Sequence, residues 1–321
     1  MSSIMTFITR NRAQALIVAT LALTWLAFFI ASPYFLTVAN ISALLLDASV
    51  YILIALGLTF VIATGGIDLT PGFGLAFTGV VTALVMTSIG GTVGIAVGVI
   101  AGILAGGLLG LCNGILVADL RMQPMIATLA MMLVAWGCAL VLTGTSAIPL
   151  NGFAAFLKVG NGKTAGITNA IWPVIIAVLI AWVLLNKTLI GRYALAIGSN
   201  EEATRLAGVN VRTWKRRVYI LAGMFTGMAG VVMASKLASG KPDVGQSYEM
   251  YAIAAAVLGG ASLTGGRASV IGSVVGAILI ATIRNGAVLL GVPDEWQKIL
   301  LGAVVLAAVY LDVRRSKSKK I

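Results

Sequence analysis

Asp47 and Arg284 are the two charges set deepest in apolar sequence. Each falls about five residues, or ~7 Å at the helical rise, from the centre of its block and toward the same side. Equal depth makes an ion pair one reading, and separate snorkelling toward the interface the other. Asn285 adjoins Arg284, and with Asp47 these residues are candidates for a polar path through the bundle, where ionisable groups normally face a partner or a water-filled route. Bond-making chemistry has few candidates. Histidine is absent, which removes the commonest general base and metal ligand. Cys112 and Cys138 both sit inside apolar blocks and read as small buried hydrophobes, not as a disulfide or a metal pair. No metal site and no catalytic residue is expected.

Two glycine-rich strings interrupt the apolar blocks: Gly65-Gly66-Ile67-Asp68-Leu69-Thr70-Pro71-Gly72 and Gly259-Gly260-Ala261-Ser262-Leu263-Thr264-Gly265-Gly266. Neither fits the phosphate-loop pattern, and the one Gly-Lys-Thr, at 162–164, has Leu157 where the first glycine belongs. ATP binding by that motif is excluded. Pro71 suits a helix start with Thr70 or Asp68 as cap. Broken backbone at membrane depth is tolerated only when covered by protein or lining a cavity.

The longest polar segment is Lys187–Arg217, with seven Lys or Arg and two acidic residues. Inside it Ser199 reads as an N-cap, Glu202 as the capping-box partner, and Gly208 as the stop. Asn200, Glu201 and Glu202 open the helix, where acidic groups suit its dipole. Ala203, Leu206 and Ala207 make one short apolar face, with Arg205 on the polar side. About eight residues are marginal as a helix in water. This one should dock on something.

These features sit in a chain of 321 residues that is 60% hydrophobic and 10% charged, with mean hydropathy +1.04. That composition describes an all-α, polytopic membrane bundle, forming a single domain over residues 1–321. Ten spans are expected: roughly 14–31, 42–63, 72–88, 92–118, 123–144, 170–187, 217–238, 249–262, 268–291 and 296–312. The eighth is short and its Gly259-Gly260 end reads as broken or re-entrant. The first apolar block is too long for a cleaved signal peptide. Ten crossings put both termini on one side, and Arg10, Arg12, Arg314, Arg315, Lys317, Lys319 and Lys320 make it the cytoplasmic one. Adding Arg121, Arg267 and the seven basic residues of 187–217 gives 16 of the 22 basic residues on that side. The net charge of +12 therefore reflects membrane topology, not nucleic-acid binding. Gly94, Gly98, Gly102, Gly106, Gly110 and Gly114 recur every fourth residue, a ridge on which another helix can pack backbone to backbone. Gly223 with Gly227, and Gly272 with Gly276, repeat the spacing.

GGIDLTPG at 65–72, GSNEEATRLAGV at 198–209, VLGGASLTGG at 257–266 and the run Arg284-Asn285-Gly286 to Leu290-Gly291-Val292 resemble, in order and spacing, the permeases of bacterial ABC importers for ribose and related monosaccharides. The resemblance covers nearly the whole chain. It implies a fold like that of the cobalamin importer, two permease copies, two cytoplasmic ATPase subunits carrying ATP and Mg, and a periplasmic sugar-binding protein. It assigns 199–208 as the helix that enters a groove of the ATPase, and Gly65, Gly66, Asp68, Gly259, Gly260, Gly265 and Gly266 to signature loops. The chain departs from the family at Thr70-Pro71-Gly72-Phe73, at Met250 and Tyr251 after the acidic Glu249, and at Ala268. The expected activity is ATP-driven inward passage of a pentose or hexose across a bacterial inner membrane, with hydrolysis on a partner. A permease for branched-chain amino acids or nucleosides is the alternative, though charged solutes demand more fixed charge than Asp47 and Arg284 offer. An ion-gradient-driven transporter needs embedded carboxylates, and only Asp47 qualifies.

Overall fold

The computed structural model describes residues 12–317, with side chains from 15 to 310. Arg10, Arg12, Arg314, Arg315, Lys317, Lys319 and Lys320, which carried the orientation argument, lie outside the described side chains. The chain is all-helical, 76% in helix. Among the described residues the helices are α1 (Arg12–Ala31), α2 (Val38–Ala63), α3 (Pro71–Ile89), α4 (Gly91–Gly114), α5 (Pro124–Thr143), α6 (Ala154–Gly160), α7 (Ile171–Lys187), α8 (Leu189–Ser199), α9 (Glu201–Leu206), α10 (Val211–Lys236), α11 (Tyr248–Leu258), α12 (Val270–Leu289) and α13 (Asp294–Lys317). A π-helical turn, Ile115–Asp119, extends α4.

Six helices among the described residues are long and apolar enough to cross a membrane, and α7 with α8, bent by 62°, makes a seventh if taken as one span. Ala15–Ala31 and Tyr248–Leu258 are apolar but shorter. The expectation of ten spans is thus met in part. α2 and α10 form the centre, 83% and 78% buried over their apolar windows, whereas α4 and α5 are only 28% and 22% buried. The second pair presents its aliphatic side to the surroundings, as a bilayer requires.

The glycine ridge of α4 serves two neighbours. A Cβ placed on Gly98 would lie 2.8 Å from the Thr82 carbonyl oxygen of α3, and one on Gly106 would lie 2.2 Å from the Gly223 oxygen of α10. Gly223 returns the constraint, its Cβ falling 2.1 Å from the Gly106 oxygen. No larger residue fits this crossing, which is the small-residue packing logic of membrane helices. Gly272 on α12 meets Gly259 in the same way, at 1.9 Å from its oxygen.

Two helices begin inside the bundle. α3 starts at Pro71 after the non-helical segment 64–70. α11 starts at Tyr248 after an irregular segment that runs along α3, from a Gly240 Cβ position 2.6 Å from Ala83 Cβ to a Gly245 Cβ position 2.1 Å from the Gly72 oxygen. Eleven residues of α3 separate those contacts, about 16 Å of helix. The amino ends of α3 and α11 therefore meet well below one end of the bundle. At that end, strand β1 (Ile148–Pro149) pairs antiparallel with β4 (Ser239–Gly240), so the two loops flanking α7–α10 share one side. Strands β2 (Lys163–Thr164) and β3 (Ile167–Thr168) form a hairpin in the same loop. Gly160 N–H donates to Ser235 Oγ at 2.8 Å and so ties α6 to the end of α10.

Candidate coupling site and interior polar contacts

α9 is the segment singled out by sequence, with a shifted start. Ser199 is the last residue of α8, not a cap. Asn200 caps instead, its Oδ1 accepting from Ala203 N–H at 2.9 Å. The helix is six residues long, and Glu202 does not close a capping box: it pairs with Arg205, Nη2 to Oε1 at 2.6 Å. That bond holds the Glu202 carboxyl below its ordinary range. Glu201 accepts from Lys215 Nζ at 2.6 Å and so braces α9 against α10. Gly208 ends the helix with φ +84°. Thr204 is the buried member, its Oγ1 donating to the Asn200 oxygen at 2.7 Å. Leu206 is 78% exposed, and Ala203 and Ala207 are exposed too. The short apolar face thus points away from the chain's own core.

The end of α8, immediately ahead of α9, sits in a three-way backbone junction. A Cβ on Gly198 would lie 2.0 Å from the Ala63 oxygen at the end of α2 and 2.5 Å from Gly266 N. Gly265, at φ +82°, would put a Cβ 2.7 Å from the Gly198 oxygen and 2.9 Å from Gly65 N. Gly266 N–H donates to the Ala63 oxygen at 3.0 Å, while its Cα side faces Ser199. Three motifs far apart in sequence therefore meet at one point: 65–66, 198–199 and 265–266. Gly259 and Gly260 sit at the far end of the same break, where α11 stops. Backbone contacts with no flexible side chain between them thus tie the end of α8 to the end of α2 and to the break before α12.

Asp68 lies deeper in the break. Its Oδ1 accepts from Thr70 N–H at 2.9 Å and from Asn113 Nδ2 at 3.3 Å. Asn113 Nδ2 also donates to Thr70 Oγ1 at 2.6 Å, and Thr128 Oγ1 accepts from Leu69 N–H at 3.0 Å. This network stitches the non-helical segment to α4 and α5, which satisfies backbone groups that lipid could not. Asp68 itself is 2% exposed, so these hydrogen bonds stand in place of water. A small cavity beside it, about 10 Å³ and so room for about one water, is lined by Asp68, Thr70, Asn113 and Thr226. Sequence reasoning missed Asn113 and Thr128, which are lone polar residues in apolar helices and carry no motif.

Asp47 and Arg284 do not pair. Asp47 forms its ion pair with Lys236 of α10, and Arg284 Nη1 donates to Tyr51 Oη at 2.5 Å. Equal depth left the rotation of each helix open, and rotation decides the partner. Asn285 exchanges two amide hydrogen bonds with Asn40, at 2.8 and 2.9 Å. Tyr51 stands among Tyr248 and Tyr251, ring centroids 5.0 and 5.8 Å away.

Residues 40–309 match the family described as branched-chain amino acid transport system / permease component. The ribose import permease protein RbsC of Escherichia coli K12 is 40% identical over 289 residues, covering 88% of each chain. The L-arabinose ABC transporter permease protein AraH of Azospirillum brasilense is 38% identical over 302 residues, 94% of this chain and 86% of that one. The galactose/methyl galactoside import permease protein MglC of E. coli K12 is 34% identical over 332 residues, 98% of both. No solved structure matches. A multi-pass membrane protein whose family model spans most of its length, with sugar-importer permeases as relatives throughout, this chain belongs to the branched-chain amino acid transport system permease family.

Proposed function

We propose that this chain is the membrane permease of an ABC importer that moves a monosaccharide, a pentose or hexose, into the cytoplasm. The observation that carries the reading is α9: a capped helix with an exposed apolar face, joined to two spans through bare backbone. Its family membership and the printed functions of its relatives support the substrate class. In this reading α9 seats in a groove of a cytoplasmic ATPase, which carries ATP and Mg, and this chain itself catalyses no bond change. Closure of the ATPase pair pulls α8–α9 and, through Gly198, Gly265 and Gly65, tilts α2 and α12 together. That motion alternates access to the path between them. The remaining apolar helices α1, α11 and α13 complete ten crossings, with both termini cytoplasmic and the β1–β4 end periplasmic, where a sugar-binding protein delivers. A second permease copy completes the assembly. The scarcity of buried charge suits a neutral solute, since affinity is supplied by the binding protein.

The test is co-purification of the tagged chain from its host membranes, followed by reconstitution with the recovered ATPase and binding protein. ATP-dependent uptake of a monosaccharide, lost on deletion of 199–208, is the expected result. Uptake by the chain alone on an ion gradient overturns the reading.

A further inference from the structure

Glu249 is the second residue of α11 and Gly72 the second of α3, so the two helix starts meet at this pair. A Cβ on Gly72 would lie 2.2 Å from Glu249 Oε2 and 3.2 Å from Met132 Sδ of α5. One turn along α5, Trp136 stacks on Phe73, centroids 4.6 Å apart with planes at 12°. Glu249 is 8% exposed. Its Oε2 and the Trp136 Nε1 are both buried and lack a hydrogen-bond partner among the described residues. A strong acceptor and a donor thus flank the same Gly72–Phe73 step without bonding to each other. Leaving either unsatisfied is costly, and buried polar groups in this state call for an explanation.

The chemistry that would satisfy both is narrow. A carboxylate oxygen needs a hydrogen, and an indole N–H needs a lone pair. An ammonium supplies only the first; a phosphate or carboxylate supplies only the second and is repelled by Glu249. A hydroxyl supplies both. The stacked Phe73–Trp136 pair adds an apolar wall, against which the C–H face of a ring can lie.

We propose that Glu249 and Trp136 form a hydroxyl-reading contact on the translocation path, taking one hydroxyl of a neutral polyhydroxylated solute as it passes the amino ends of α3 and α11. This rests on the monosaccharide-importer reading above and adds to it two residues outside the charges at Asp47 and Arg284.

The test uses the full assembly in vesicles, with D-ribose, L-arabinose and D-galactose as probes, then the monodeoxy derivatives of whichever is taken up. Glu249→Gln keeps the volume while removing the carboxylate; Trp136→Phe keeps one aromatic ring while removing the N–H. Each sugar is compared with itself in wild type and variant, which cancels discrimination by the binding protein and differences in the amount of permease. The expected result is that both variants slow the parent sugar about tenfold while one deoxy derivative changes by less than about twofold, the loss of one buried hydrogen bond. An equal slowing of parent and every derivative assigns the pair to structure and overturns the proposal; so does no slowing at all. If wild type takes up none of the three sugars, the importer reading fails first and the contact falls with it. Should Glu249→Gln not assemble, Trp136→Phe carries the test through the same ratio.

Discussion

Gly198 and Gly265 touch through backbone alone: a Cβ on Gly265 would stand 2.7 Å from both Cα and the carbonyl oxygen of Gly198. This contact joins the end of α8, which leads into the helix proposed to meet the ATPase, to the break before α12, and Gly65 N lies on the same spot. Gly198→Ala must push its methyl into the Ala63 oxygen, a rigid neighbour at 2.0 Å. Overpacking of that kind costs about 1–3 kcal/mol or more. The expected outcome is loss of ATP-dependent uptake with lowered thermal stability in detergent. Gly208→Ala is the control. Gly208 has φ +84° but open space around it, so the change costs roughly 1 kcal/mol of local strain and leaves the α2–α12 junction intact. Equal loss of uptake in both would remove the junction from the mechanism.

The Asp47–Lys236 pair gives a second prediction. The side chains are 33% and 25% exposed, so the bond contributes about 1 kcal/mol or less. Asp47→Asn and Lys236→Met should each lower stability slightly, and the double variant should lose no more than the worse single. Arg284→Gln should add to Asp47→Asn to within about 0.5 kcal/mol, since the two share no hydrogen-bond partner. It should also cost more, about 1–3 kcal/mol, because it strips the partner from buried Tyr51 Oη. Urea or thermal titration of wild type, the three single variants and the two double variants decides it. Coupling between Asp47 and Arg284 would restore the pairing that depth alone suggested.

That correction marks where the sequence stops being readable. The ridge Gly94 to Gly114 is periodic, and a period of four fixes a face; its role as a close crossing could be read in advance. The existence of α9 was equally plain, because Glu201, Glu202 and Gly208 mark a start and a stop. Its first residue was not, since Ser199 and Asn200 can both cap and only the preceding α8 decides. α8 itself hid inside a basic stretch, where the buried Gly191, Ala194 and Ile197 gave a short apolar stripe that charge obscured. That 65–66, 198–199 and 265–266 meet is tertiary information, legible as three glycine-rich motifs and not as one site. Trp136 carries no motif and Glu249 stood out only as the acidic residue before the departures at Met250 and Tyr251; their orphaned atoms exist only once α3, α5 and α11 are packed.

Leu206 gives the third prediction. It is 78% exposed and contributes little to the fold, so Leu206→Glu should leave the melting temperature of the permease alone unchanged. A buried apolar anchor in a partner groove is worth 2 kcal/mol or more, ~30-fold in affinity. Retention of the ATPase on the tagged permease should fall by that order. Arg205→Glu should weaken it too, by disrupting the Glu202 pair that orders this face. Undiminished retention with Leu206→Glu would leave α9 without a partner.

The last prediction concerns Asp68, which is 2% exposed and whose Oδ1 accepts from Thr70 N–H and Asn113 Nδ2. Asp68→Leu strips the acceptor from the buried Thr70 N–H and leaves the non-helical segment untied, at a cost of about 1–3 kcal/mol. Asp68→Asn keeps an acceptor for both donors and should cost less. The expected order of melting temperatures in detergent is therefore wild type and Asp68→Asn above Asp68→Leu. Equal melting temperatures for the two variants would mean that the acceptor at position 68 does not hold the break in place.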